Sequence, residues 1–268
     1  MTAVLPESAP PHAVRCLKAA GVRSVWLVEA PGEAATVVKT WPCRLSLQLK
    51  RLLGIAQPQR QARGSRRLAA AGVATPTIRC AWRMVRRGRV RVVELEHDYV
   101  AGRLATDLFR DATLPAEQRR RIARALGALA PRIAVAGLVH RDMKLENLIV
   151  PCHGDGLPNG VRNGAAHRAG VGEAALSKRG LSIWAIDTVG VGRMLRRPAA
   201  VERMLVQLMI EPITEGLAID RGEAEAVLRA ALRPLPPNTR RAVLRRLRRR
   251  KARTKQKKEP RMDTDGHG

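Results

Sequence analysis

The sequence predicts an α+β chain in two lobes, a small strand-rich N-terminal lobe and a reduced helical C-terminal lobe. Three observations carry that expectation. Short runs rich in Val and Thr with strand character crowd the first 97 residues. Apolar residues return at helical spacing after Pro115. Behind that helical stretch stands the run His140-Arg141-Asp142-Met143-Lys144-Leu145-Glu146-Asn147, followed by the β-branched apolar segment Leu148-Ile149-Val150. A length of 268 residues suits one domain of two lobes or two small domains, and 45% apolar content supplies a core. With one Phe and one Tyr, that core must be aliphatic.

Residues 1–14 contain three prolines up to Ala13 and are expected to form a flexible N-terminus. They lack a basic stretch followed by an apolar one, so they do not read as a signal peptide. The N-terminal lobe spans 15–97. Residues 22–29 alternate weakly and predict a strand, Ala30-Pro31-Gly32-Glu33 a turn, and residues 35–41 a second strand. Residues 44–53 predict a short basic amphipathic helix with Leu45, Leu49, Leu52 and Leu53 on one face. A second helix over 59–71 ends at Gly72. Residues 77–84 and 89–95 predict two strands joined at Arg86-Arg87-Gly88.

The C-terminal lobe spans 98–237. Its first long helix starts near Pro115, carries Ile122, Leu126, Leu129 and Ile133 at helical spacing, and ends at Gly137. Pro131 lies inside it and should kink or break it. Residues 151–180, rich in Gly, Asn and Ala, predict a mobile insertion. A short apolar strand over 181–186 follows, then helices near 199–210 and 222–232 and a break at Pro234, Pro236 and Pro237. Residues 238–268 form a basic tail, either helical or disordered.

The net charge of +27 calls for anionic partners: nucleotide, nucleic acid, anionic lipid or phosphorylated sugar. Thirteen Lys and Arg against one Glu fall within residues 238–261, which suits a peripheral membrane or nucleic-acid contact. No aromatic residue interleaves those charges, which argues against base stacking. Cys16, Cys43, Cys80 and Cys152 are far apart, without a C-x-x-C pair or metal-ligand spacing. Reduced thiols and a cytoplasmic setting are expected, with a peripheral place at the inner face of the membrane as an option. No apolar run reaches the roughly 18 residues that span a bilayer.

The pattern H-R-D-x-K-x-x-N before a strand reads as a phosphotransferase catalytic loop. Asp142 would accept the proton of an attacking hydroxyl, Asn147 would hold magnesium, and Lys144 would offset charge on the transferring phosphoryl group. Lys39, at the end of Ala35-Thr36-Val37-Val38, stands where a strand lysine meets nucleotide phosphates. Asp187, closing the apolar run before Thr188-Val189-Gly190, is the candidate second magnesium ligand; the pattern departs from D-F-G in lacking Phe and in a glycine one residue late. Gly32 is the candidate for backbone contact with phosphate, with a plain hairpin turn as the competing reading. No Asp or Glu occurs between Glu33 and Glu94, so the usual acidic partner of such a lysine is missing. Gln57, Gln59, Gln61 or Glu33 are the side chains left to replace it.

Together, Val37-Val38-Lys39, the stretch Ser65-Arg66-Arg67-Leu68-Ala69-Ala70-Ala71-Gly72-Val73-Ala74-Thr75-Pro76, Tyr99-Val100-Ala101-Gly102-Arg103-Leu104, His140 to Asn147 and Asp187 to Gly190 resemble the protein-kinase-like superfamily. The closer resemblance is to the bacterial lipopolysaccharide kinases, which phosphorylate Kdo or heptose sugars of the core. It spans roughly residues 20–233, and only the catalytic-loop motif is specific by itself. The resemblance implies an ATP- and Mg2+-dependent kinase of a hydroxyl acceptor, an anionic sugar or lipid of the envelope. By it, Lys39 would meet the ATP phosphates, Asp142 would be the base, and Asn147 and Asp187 would bind magnesium. A pseudokinase scaffold that binds ATP without transfer, or a Ser/Thr protein kinase, are the alternatives.

Overall fold

β-branched and aromatic side chains at strand spacing build the N-terminal part of the chain. The computed structural model describes residues 9–20, 23–151, 181–214 and 216–258. β1 (Ala13–Ala20), β2 (Arg23–Val28), β3 (Thr36–Pro42), β4 (Ile78–Arg87) and β5 (Val90–Asp98) form one antiparallel sheet in the order β1-β2-β3-β5-β4. β3 lies in the middle because both of its faces bury side chains. Thr36, Val38 and Thr40 alternate with Val37 and Trp41, and all five are buried. In that register Lys39 stands between Val25 of β2 and Leu95 of β5. The pleat therefore puts Lys39 on the face shared by Val37 and Trp41.

Between β3 and β4 the chain makes two helices, α1 (Leu45–Leu52) and α2 (Gln57–Ala70). Pro58 sits in the first turn of α2, where a missing N–H costs nothing, and Gly72 closes the helix with φ 71°. The helical spacing of α1 is as the leucines predict, yet none of its residues is buried.

The remaining elements form a helical part with two small ribbons. α3 (Ala105–Arg110), α4 (Ala116–Val135), α5 (Arg197–Leu205), α6 (Glu211–Thr214), α7 (Arg221–Leu232) and α8 (Pro237–Lys258) supply the helices. β6 (Gly102–Leu104), β8 (Leu148–Pro151) and β9 (Trp184–Ala185) form one ribbon. β7 (Leu138–His140) pairs with β10 (Val191–Arg193) in the other. α4 is the central helix, with Ile122, Leu126, Leu129 and Ile133 all buried. Gly127 lets α7 approach closely: a Cβ there would lie 2.3 Å from the Val227 carbonyl oxygen. α7 begins with a capping box, in which Asp220 accepts from the Glu223 N–H and Glu223 accepts from the Asp220 N–H.

Several expectations need correction. Of the kink or break expected at Pro131, the break does not occur: α4 continues to Val135, with Pro131 among its buried residues. The strand over 181–186 shortens to Trp184–Ala185, since only Leu148 and Ile149 of β8 face it. β1 begins at Ala13, so the last residues of the supposed flexible N-terminus 1–14 are strand. Residues 238–258 are a helix, and its first half is no free tail. Val243 is fully buried, and Arg246 reaches Glu202 of α5 at 3.3 Å. The insertion expected over 151–180 lies outside the described residues except for Pro151, and so does Cys152. Among the described residues, no helix is long and apolar enough to cross a membrane.

Candidate active site

The two short ribbons converge on the catalytic-loop motif. β7 delivers His140, the loop turns through Arg141 to Lys144, a 3-10 turn covers Leu145–Asn147, and β8 leaves. Pairing of β8 with β9 brings the next chain segment alongside: the Ile186 N–H donates to the Asn147 carbonyl at 3.0 Å. Asp187 follows directly, so the ribbon sets Asn147 and Asp187 in neighbouring positions. The return strand β10 then hydrogen-bonds the loop, with the Arg141 N–H donating to the Gly190 carbonyl at 3.0 Å. Gly190 suits the close approach there, because a Cβ would sit 3.0 Å from the Asp142 nitrogen, tighter than an ordinary contact.

Asp142 and Asn147 are fixed to each other. Asn147 Nδ2 donates to the Asp142 carboxylate at 3.1 Å and to its carbonyl at 3.0 Å. This orients the carboxylate and leaves the Asn147 side-chain oxygen Oδ1 available as a ligand atom. His140 is fully buried and accepts from the Asp142 N–H through Nδ1 at 3.3 Å. Burial pushes the His140 imidazole below its ordinary pKa, against the opposing pull of the Asp187 and Asp142 carboxylates. Accepting at Nδ1, the imidazole braces the loop.

Lys39 belongs to this constellation through Gln61. Lys39 Nζ donates to Gln61 Oε1 at 3.2 Å, and Gln61 Nε2 donates to the Ile186 carbonyl at 3.4 Å. One buried glutamine thus ties the sheet lysine to the residue before Asp187. Of the side chains left by the missing acid, Gln61 is the one that meets Lys39. Gln57 instead accepts from Trp41 Nε1 at 2.7 Å. Burial lowers the pKa of the Lys39 ammonium; Asp187 raises it, and Lys18 lowers it further. With a neutral amide for a partner, Asp187 is the carboxylate that favours its charged form.

Sequence reading missed two supports. Gly64 of α2 allows the Thr188 carbonyl to pack against the helix; a Cβ there would lie 2.0 Å from that oxygen. One helical turn earlier, the Gln61 carbonyl accepts from Thr188 Oγ1 at 2.7 Å. The second support is Gln207, in a π-helical stretch (Val206–Ile210) between α5 and α6. Its Oε1 accepts from the Met143 N–H at 2.6 Å, and its Nε2 donates to the Arg141 carbonyl. A π-bulge at a functional loop is a recurring arrangement, but no local pattern in the sequence links Gln207 to a loop 64 residues away. Gln207→Leu should therefore leave the buried Met143 N–H without a partner. We expect a loss of about 1–3 kcal/mol in stability, read by denaturant unfolding.

Gly32 occupies a tight turn with φ 76°, and the Glu33 N–H donates to the Ala30 carbonyl at 3.1 Å. Proline followed by glycine at the two central positions is the signature of a type II turn. The turn joins β2 to β3, so the hairpin alternative accounts for Gly32 unaided. Lys144 lines a cavity of about 190 Å3 together with Thr106, Asp107, Arg110, Glu146 and Glu211. The cavity opens on the loop carrying Asp142 and mixes both signs of charge.

The residues fit a nucleotide with a divalent ion. Asp187 and Asn147 offer one carboxylate and one amide oxygen, which is what magnesium takes when substrate phosphates complete its shell. Among the described residues no cluster of three or more His, Cys, Asp or Glu forms an all-protein metal site. His97, behind Lys39 in β5, is 3% exposed with a buried Nε2 lacking a partner. Burial and the Lys39 charge bring its pKa down to about 4. The folded protein thus binds fewer protons than the unfolded chain between about pH 6.5 and 4. Stability is full above that window and falls as pH drops through it, by up to about 3 kcal/mol from His97. Denaturant unfolding at pH 7 and pH 4 checks this, and His97→Gln should flatten the change.

An antiparallel sheet with its lysine strand at the centre, a following helix that meets that lysine, and a loop holding Asp142 and Asn147 beside Asp187 are consistent with a kinase-like fold. The solved structure titled "WaaP in complex with acyl carrier protein" has that likeness, with a TM-score of 0.54. The match covers 91% of this chain and 86% of that chain at 16% sequence identity, so it is a likeness of fold. No protein-family model and no curated protein matches the sequence.

Proposed function

We propose that this chain is an ATP- and Mg2+-dependent phosphotransferase acting on a hydroxyl group, with a sugar of the lipopolysaccharide core or another envelope sugar as acceptor. The observation that carries the reading is the hydrogen-bonded link Lys39–Gln61–Ile186 meeting the Asn147–Asp142 pair beside Asp187. The likeness of fold to WaaP supports a kinase-like chain, and the acceptor class rests on the resemblance of the sequence motifs to the lipopolysaccharide kinases.

Lys39 would contact the α- and β-phosphates from β3, and the backbone of the Gly32 turn would lie over them. Asp187 and Asn147 would hold magnesium, whose contribution is to neutralise charge on the β- and γ-phosphates. Asp142 would orient the acceptor hydroxyl and take its proton as that oxygen bonds to the γ-phosphorus, while the bond from the γ-phosphorus to the β,γ-bridging oxygen breaks and ADP leaves. Lys144 would offset the charge of the transferring group from the acceptor side. The cavity beside Lys144 would receive the acceptor, since Asp107, Glu146 and Glu211 accept from sugar hydroxyls while Arg110 and Lys144 meet an anionic substituent.

Gln61 gives this site a neutral link where an acidic residue is usual, which makes ATP binding without transfer the second reading. Turnover of ATP with magnesium, measured with deacylated lipopolysaccharide core, with a generic protein acceptor and with neither, separates the readings. Stimulation by the sugar alone supports the proposal. Stimulation by the protein acceptor moves the chain to the Ser/Thr kinases. ATP binding without turnover under all three conditions assigns a scaffold.

A further inference from the structure

None of the eight residues of α1 is buried, although the helix carries four leucines. Leu45, Leu49 and Leu52, with Leu53 at the C-cap, are 83%, 57%, 84% and 66% exposed. Their spacing of four, three and one places them on a single stripe of a 3.6-residue helix. Ile55, just beyond, is also exposed. Single exposed leucines are ordinary on a protein surface, but a contiguous stripe of this kind marks an interaction site.

The helix is anchored beneath. The Arg51 guanidinium lies 4.9 Å from the centroid of the Trp82 ring. Gln48 Nε2 donates to Cys43 Sγ at 3.3 Å, and the Ile55 and Ala56 N–H groups both donate to the Lys50 carbonyl. These contacts occupy the underside and leave the leucines outward. The surroundings carry one sign of charge. Arg44, Lys50 and Arg51 are exposed on or beside the helix, and residues 34–93 hold fourteen Lys and Arg with no Asp or Glu.

We propose that α1 seats the protein on an anionic lipid bilayer, with the leucine stripe entering the boundary between headgroups and acyl chains. Arg44 and Lys50 meet the lipid phosphates. A short helix with an apolar stripe and a basic rim binds such a surface by apolar burial together with electrostatic attraction. A second copy of the chain fits less well, because a two-fold contact would set the same basic residues against each other. Nucleic acid fits less well too, since α1 offers leucines and no aromatic ring to stack on bases. The surface is distinct from the basic helix α8 and does not depend on the phosphotransfer reading.

Flotation of the full-length protein with vesicles tests this, using phosphatidylcholine alone and phosphatidylcholine mixed with phosphatidylglycerol. The wild type should float with the mixed vesicles and far less with the neutral ones. Changing Leu45, Leu49, Leu52 and Leu53 together to Ser should lower partitioning by on the order of a hundredfold. The pair Leu45→Ser and Leu52→Ser, the two most exposed positions, serves should the fourfold variant not fold. Arg44→Gln with Lys50→Gln should lower partitioning roughly tenfold. A triple variant of α8, Arg245→Gln, Arg248→Gln and Arg249→Gln, should retain more binding than the leucine variants. Failure of the wild type to float would overturn the proposal. So would undiminished flotation of the folded leucine variants, which would move the contact to another surface. Concentration-dependent dimerisation abolished by the leucine changes, with no vesicle binding, would assign α1 to a second copy instead.

Discussion

Asp187→Asn should lower ATP turnover by on the order of 10²- to 10³-fold. The substitution keeps the shape and preserves an oxygen that can accept from the Val189 N–H, as Asp187 does at 3.2 Å. It removes the charge alone. Two consequences reinforce each other. A magnesium site left with Asn147 and a second amide has only neutral protein ligands from that pair, which a hard dication holds weakly. The second consequence falls on Lys39. Its ammonium is already pushed down by burial and is supported by the Asp187 carboxylate. Without that carboxylate, and with only the Gln61 amide in hydrogen-bond contact, the lysine shifts further toward its neutral form. Turnover measured across pH, with calorimetric titration of Mg-ATP, separates the two: loss of binding at all pH values reports the metal, and a shifted alkaline limb reports Lys39.

Gly64→Ala should be the most damaging change at a residue that touches neither nucleotide nor acceptor. The added Cβ would stand 2.0 Å from the Thr188 carbonyl oxygen, 2.9 Å from its carbonyl carbon and 3.0 Å from Thr188 Cβ. Two of these neighbours are backbone atoms, so no rotamer change relieves the clash. Either α2 or the segment behind Asp187 must move. Gln61, three residues earlier on the same face, travels with the helix, and its carbonyl loses Thr188 Oγ1. We expect a stability loss of about 1–3 kcal/mol from overpacking. We expect a fall in turnover on the order of a hundredfold, because displacement of a catalytic group by about 1 Å is that costly. A Gly64→Ala protein as stable and active as the wild type would show that α2 and the Asp187 segment are not coupled.

How much of this was legible in the sequence depends on whether chemistry or packing fixes the residue. Asp142, Lys144 and Asn147 could be picked out as candidates at once, because the motif fixes their residue types and spacing. Lys39 could be picked out as a candidate from its place within a Val- and Thr-rich strand, and Asp187 from its place at the close of an apolar run. Gln61 was visible only as one of several substitutes, since three glutamines lie within five residues and one sequence does not say which turns toward the sheet. Gly64 and Gln207 left no signal. Their roles are close approach and a backbone clamp, both made with segments more than sixty residues away in sequence. β1 was missed because Ala13-Val14-Arg15-Cys16-Leu17-Lys18-Ala19-Ala20 has little β-branched content and pairs with β2 through register shifts. α1 was read correctly as amphipathic. Periodicity gives the stripe but not what covers it.

Transfer of the γ-phosphoryl group to an acceptor hydroxyl is the central claim, and single-turnover transfer from labelled ATP tests it most directly. The comparison is between the wild type and Asp142→Ala, with magnesium and deacylated lipopolysaccharide core. We expect label on the sugar with the wild type, none without magnesium, and a rate lower by about 10²- to 10⁴-fold in Asp142→Ala with ATP affinity unchanged. Label transferred equally fast by Asp142→Ala, or wild-type protein that binds Mg-ATP and leaves all the label on it, would contradict the account.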